Sequence, residues 1–215
     1  MALWSTSLRH SWNIALRNAT FRFRFSVTII ALILLAIFIP YLFNYIQQRS
    51  GYVLHDPLLH IMTPQDFSWI TFTMIYVSLL AGLIDLCQKP DQLILALQAY
   101  CIMNFFRIIS LLLVPLEEPI AILVLRDPFV AMVGYGGNVI TKDLFFSGHV
   151  GTMTLLVLVV TNRRLKRILF GTTILIAALL LVQHVHYTID VLFAPIFSYV
   201  SFRLSRLFSD KFAWA

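Results

Sequence analysis

A chain of 215 residues with 60% hydrophobic and 12% charged side chains is not an ordinary soluble domain, which carries about 45–50% apolar and about 25% charged residues. Its mean hydropathy of +0.85 leaves lipid as the solvent for the surplus, and the length allows one compact unit of several spans without a large soluble domain. The formal net charge of +6 would suit nucleic acid in a soluble protein; here the basic residues lie in short segments between apolar runs, so they report membrane topology and no nucleic-acid partner is expected.

In chain order, residues 1–24 read as a cytoplasmic N-terminal segment. Trp4, Leu8, Trp12 and Leu16 recur at every fourth position with Arg9, His10 and Arg17 off that stripe, the pattern of a helix lying in the membrane interface. The spread of Arg9, Arg17, Arg22 and Arg24, followed by a full-length apolar run without a small-residue cleavage site, does not read as a signal peptide.

A bilayer core needs about 20 apolar residues per helix. The fold class expected is all-α: a polytopic membrane protein with six transmembrane helices in a 25–207 catalytic unit, followed by a cytoplasmic tail at 208–215. The spans are expected at about 25–47, 67–87, 92–115, 145–161, 166–185 and 187–207, with Pro40 inside the first. Glu117 to Lys142, with Pro119, Pro128 and glycines at 134, 136 and 137, reads as a long external loop with an interfacial piece, IAILVL. Cys87 and Cys101 lie at or inside apolar segments and form no disulfide framework or metal cluster.

Orientation follows from the cations. With both termini inside, Arg9, Arg17, Arg22, Arg24, Lys89, Arg163, Arg164, Lys166, Arg167, Arg203, Arg206 and Lys211 face the cytoplasm. Only Arg49, Arg126 and Lys142 face out. The compact size suits a bacterial inner membrane better than a Golgi membrane.

Ionisable residues in membrane segments are costly and mark function. In HVHYTIDVL, His186 and Asp190 are four apart, one turn along one helix face. A carboxylate there holds one imidazole nitrogen protonated and leaves the other to attack; a structural pair bridging helices is the plain alternative. In DLFFSGHVGT, His149 follows Ser147 and Gly148, whose amides at a helix start suit an anion. The alternating topology puts His149 and His186 at one outer face. Arg107, inside the third span, wants a phosphate or a carboxylate. Asp143 reads first as a cap of the fourth span, and His184 as a bystander. Asp85, Glu117 and Glu118 are membrane-edge acids without an assigned partner. His55, Asp56 and His60 in the first outer loop stand at the mouth of the site. No metal or other cofactor is expected, since the neighbours offer no ligand spacing.

The Asp-x-x-x-Ser-Gly-His element at Asp143, Ser147, Gly148 and His149, with His186, Tyr187, Thr188, Asp190 and Val191 following, resembles the sphingomyelin synthase-like branch of the type 2 phosphatidic acid phosphatase superfamily. The likeness runs over roughly 55–200. Thr141-Lys142 replaces the Cys-Gly of that branch, Val150 replaces its Thr, and Leu179-Leu180 stands where the wider superfamily carries Ser-Arg. Leu179-Leu180 and the missing Lys-rich first motif of those phosphatases weigh against an ordinary soluble-headgroup phosphatase. The resemblance implies catalytic His149, His186 and Asp190, with Arg107, Asp143, Ser147, Gly148 and Tyr187 around the substrate. It implies a phospholipid donor, a ceramide or diacylglycerol-like acceptor and a phosphohistidine-type intermediate. A lipid phosphatase or phospholipase C would use the same residues. A non-enzymatic scaffold or transporter is the reading from another class. Oligomeric state is not legible.

Overall fold

The structure, a computed structural model, describes residues 2–125 and 140–212, with side chains described for 8–125 and 140–209. Arg126, Pro128, the glycines at 134, 136 and 137, and the side chains of Trp4 and Lys211 lie outside the described residues. The described residues form eight helices: α1 (Ala2–Arg17), α2 (Ala19–Gln48), α3 (Pro57–His60), α4 (Ser68–Cys87), α5 (Pro90–Leu113), α6 (Gly148–Val159), α7 (Arg163–Val182) and α8 (Thr188–Phe212). Tyr52 and Leu116 make an isolated parallel bridge, and no strand occurs among the described residues.

Five helices, α2, α4, α5, α7 and α8, are long and apolar enough to cross a membrane. The span expected at 145–161 is instead the 12-residue α6, about 18 Å long at 1.5 Å per residue against a core of about 30 Å. Ser147 ends it on one side by accepting from the Val150 amide. Val160 turns to extended backbone on the other. Asn162 then caps α7 through the amides of Arg164 and Leu165. The stretch from Leu144 to Asn162 carries no Asp, Glu, Lys or Arg, and that hid both caps. The first span also starts earlier than expected, because Asn18 caps Thr20 and Phe21 and Arg22 and Arg24 fall inside α2.

Six of these helices (α2 and α4 to α8) alternate in direction, which brings the starts of α6 and α8 to one end of the bundle and the basic α6–α7 connection to the other. Close approach between helices in lipid relies on small residues. A Cβ on Gly82 would overlap the Leu156 side chain, so α4 lies tight on α6. Ser198, Ser201 and Ser205 are buried along α8. Ser198 donates to the Gly151 carbonyl of α6 at 2.9 Å and Ser205 to the Leu95 carbonyl of α5 at 3.0 Å. The main core runs between α4, α5, α6, α7 and α8 through Phe72, Met103, Phe146, Met153, Ile176 and Ala194.

Trp12 donates its indole N–H to the Cys87 carbonyl at 2.8 Å, satisfying an orphan carbonyl at the end of α4, and its ring meets Phe21 and Phe25. Part of the stripe on α1 is thus turned to protein, while Leu16 stays exposed.

The acids left without partners on sequence grounds have them. Asp85 pairs with Lys89 and accepts from the Thr161 amide. Glu117 pairs with Lys142 at 2.7 Å, and Glu118 accepts from Thr141. The IAILVL piece is not helical; the Leu123 amide donates to the Gln183 carbonyl and the Leu123 carbonyl accepts from the Gln183 side chain. Gln183 is fully buried. Its amide donates to Asp66, Ser68 and Leu123 and its carbonyl accepts from the Phe67 amide, so one side chain joins the end of α7, the entry to α4 and the 120s segment. Gln183→Ala strands several buried polar groups. It is expected to destabilise the protein by about 3 kcal/mol, read as a thermal transition in detergent; an unchanged transition would refute the hub.

Candidate active site

The end of the bundle that carries both α6 and α8 starts is held by local caps. The Ser147 amide donates to the Asp190 carbonyl at 3.1 Å, which ties the start of α6 directly to the first turn of α8. Ring stacking of Phe146 on Phe197, centroids 4.4 Å apart, fixes the same pair from below. The Ser147 amide is therefore occupied, and the anion-accepting amide expected there falls to Gly148, in a first turn whose N–H groups lack intrahelical acceptors.

His186 is not on a helix. It lies in the turn after α7, with Tyr187 just before α8. Asp190, in the first turn of α8, reaches back so that one carboxylate oxygen accepts from the Tyr187 amide at 3.1 Å and sits 3.3 Å from His186 Nδ1. The expected pairing holds, but by an acidic residue in the first helical turn closing on the amide before it rather than by one helix face. Both side chains are buried, His186 at 2% and Asp190 at 0% exposure. The second Asp190 oxygen is buried without a protein partner.

His149 is half-buried. Its ring meets the edge of Phe72 at 5.9 Å and the His186 ring at 6.4 Å and 63°. Arg107, in the last third of α5, lies against Gly148: a Cβ there would come within 2.7 Å of the guanidinium carbon. A side chain at this position would push the guanidinium aside. The guanidinium pairs with Asp143, and its Nε is buried without a protein partner. Asp143 thus holds Arg107 and does not cap α6, the role expected of it; Ser147 is the cap. Ser110 donates to the Phe145 carbonyl at 2.8 Å, so the segment from Asp143 to Gly148 is moored along α5.

Tyr187 is turned away from this cluster. Its hydroxyl accepts from the Leu54 amide and donates to the Glu117 carbonyl, and its ring packs with Leu59, Leu116 and Leu144. Burial raises its phenol pKa. It fastens the loops at Leu54 and Glu117 to the bundle.

His184, read as a bystander, is buried with Nδ1 on the Ile120 carbonyl at 3.1 Å. His55 and His60 are exposed with their rings 6.1 Å apart. No group of three or more metal-ligating side chains occurs among the described residues.

Asp56 does more than its loop position suggested. One carboxylate caps two helices, accepting from Leu58 and Leu59 at the start of α3 and from the Thr188 amide and hydroxyl at the start of α8. A lone Asp before a proline signals the first cap; the second is a tertiary contact that sequence does not announce. Burial acts to raise the Asp56 pKa, and the hydrogen bonds from Thr188, Leu59 and Leu58 together outweigh it, leaving it lowered from 3.8. Glu117 is likewise lowered from 4.5, chiefly by the Lys142 ammonium. A depressed carboxylate contributes stability that is complete above its unfolded pKa and is lost as pH falls through the folded one. The thermal transition is therefore expected to drop below about pH 4, and Asp56→Asn to flatten that drop. An Asp56→Asn transition as steep as the parent's would refute the assignment.

Residues 142–207 match the family described as PAP2 superfamily, C-terminal. The matched stretch opens at Lys142 and takes in α6, α7 and most of α8, and so His149, His186 and Asp190. No curated protein matches the chain. The likeness supports the PAP2 superfamily, whose members are phosphatases or phosphotransferases.

Proposed function

We propose that this chain is a membrane lipid phosphotransferase that moves a phospho-headgroup from a phospholipid to a lipid hydroxyl acceptor, through a phosphohistidine-type intermediate on His186. The observation that carries the reading is the joining of His149 to the buried His186–Asp190 pair, with the Arg107 guanidinium against Gly148.

In the first step, Asp190 keeps the Nδ1 proton of His186 and leaves Nε2 to attack phosphorus. A P–N bond forms, the P–O bond to diacylglycerol breaks, and His149 gives its proton to the departing oxygen. In the second step, His149 takes the proton of the acceptor hydroxyl, a new P–O bond forms, and the P–N bond breaks. Arg107 and the Gly148 amide stabilise the equatorial phosphoryl oxygens. Asp143 and Ser147 act on the substrate through what they hold in place, Arg107 and the α6 start. No metal enters these steps.

Burial of His186 and Asp190 favours a lipid acceptor over water. The match to the PAP2 superfamily favours hydrolysis as the second reading, with water in place of the acceptor. We read residues 25–207 as the membrane unit, with 1–24 and 208–215 and both termini on the cytoplasmic side and the site on the other. In this reading α6 is a sixth, half-length membrane element, completed by the non-helical 140–147 segment. The partners are the bilayer, the phospholipid donor and a ceramide or diacylglycerol-like acceptor. The test is product analysis by mass spectrometry with and without acceptor. Headgroup appears on the acceptor if transfer is right; release of free phospho-headgroup at the same rate with or without acceptor overturns it in favour of hydrolysis.

A further inference from the structure

The helix that carries Asp190 starts without a side-chain cap of its own. Tyr187 stands just before α8, and its carbonyl accepts from the Asp190 amide at 3.0 Å. Its phenol is engaged by Leu54 and Glu117, so it cannot serve the first amides of the helix, which lack intrahelical acceptors. Asp190 closes one side of a capping box by accepting from the Tyr187 amide at 3.1 Å. What Tyr187 lacks is supplied from 132 residues away in the chain. The Asp56 carboxylate accepts from the Thr188 amide at 2.6 Å and from the Thr188 hydroxyl at 3.0 Å. Both are charge-assisted bonds, made at the positive end of a helix dipole.

Thr188 stands midway in the chain between His186 and Asp190. Those two side chains meet at 3.3 Å, from His186 Nδ1 to the Asp190 carboxylate. That is already past the usual range of about 2.7–3.2 Å, so a small rotation of the first turn opens the contact. The Ser147 amide on the Asp190 carbonyl restrains this turn from α6, and Asp56 restrains it from the loop before α3. We propose that Asp56 is a positioning residue for the His186–Asp190 pair, acting through Thr188 rather than on the substrate. The inference rests on the phosphotransfer reading for what the pair does. It adds that a loop outside the matched stretch 142–207 sets the geometry of the site within it.

The test compares the full-length parent with Asp56→Asn, Thr188→Val and Thr188→Ser in nanodiscs, well below their thermal transitions. Asp56→Asn turns one accepting oxygen into a donor. It is expected to lower kcat by about tenfold with KM within about twofold of the parent's. Thr188→Val, which loses only the hydroxyl bond, is expected to lose about threefold, and Thr188→Ser, which keeps it, to recover most of the parent's rate. Hydrogen exchange at the Tyr187 amide, which Asp190 holds, reads the turn without any activity and is expected to quicken by about fivefold or more in Asp56→Asn. A folded Asp56→Asn with a lowered thermal transition and the parent's kcat is a cap and nothing more, and overturns the proposal. So does Thr188→Ser as impaired as Thr188→Val, or Tyr187 exchange at the parent's rate. If the parent moves no headgroup, the phosphotransfer reading fails and the exchange comparison decides the role of Asp56. If Asp56→Asn does not fold, Thr188→Val against Thr188→Ser decides it.

Discussion

His186→Ala is expected to reduce headgroup transfer by at least about 10⁴-fold, because it removes the nucleophile and with it the covalent route. His186 is buried, so the thermal transition must be recorded in parallel; a folded, inactive variant is the expected outcome. Asp190→Asn is the sharper companion. The carboxamide oxygen still accepts from the Tyr187 amide, so the turn before α8 keeps its geometry, but the charge that supports a positive His186 is gone. A loss on the order of 10²–10⁴-fold with little change in KM is expected. If Asp190 were only the helix cap that its bond to Tyr187 describes, Asp190→Asn would be close to normal. Full transfer by His186→Ala would remove His186 from the reaction and leave the covalent route without its nucleophile.

Gly148→Ala is expected to be the second severe change. One methyl group, added in the first turn of α6, comes within 2.7 Å of the Arg107 guanidinium, closer than carbon and nitrogen pack. The arginine must move, and with it the charge that faces the developing phosphoryl oxygens. A loss of about 10²-fold in kcat is expected, the size of removing one oxyanion donor, with a destabilisation of roughly 1–2 kcal/mol from the crowding. Arg107→Lys separates the two effects. It introduces no crowding and keeps a charge, but loses the fork that pairs with Asp143 while presenting a second edge. It should fold well and remain about 10²-fold impaired. Normal kcat in both variants would show that Arg107 serves only its ion pair.

Much of this arrangement is legible in the lettering, and the parts that are not share a cause. The spans read well because lipid requires long apolar runs, so α4, α5, α7 and α8 need no knowledge of their neighbours. The shortness of α6 did not read, since Leu144 to Val160 carries no Asp, Glu, Lys or Arg, while Ser147 caps its start and Asn162 already starts α7. The His186–Asp190 contact was right for the wrong local reason: spacing of four suits a helix face, and here a turn followed by a first-turn carboxylate gives the same distance. Asp143 was misjudged because the sequence cannot show that α5 runs beside it and offers Arg107. Gln183 and the second cap by Asp56 are invisible for the same reason. Each bonds to segments about 60 to 130 residues away, and such contacts exist only once the bundle has formed.

The central claim is a covalent step at His186, and the stereochemistry at phosphorus tests it most directly. A phospholipid donor with a chiral phosphorothioate headgroup is turned over with a lipid hydroxyl acceptor, and the configuration of the product is determined. Two in-line displacements, onto His186 Nε2 and off it again, each invert phosphorus and together give retention. Retention is the result predicted here. Inversion would mean that the acceptor attacks the donor directly, leaving His186 no nucleophilic role.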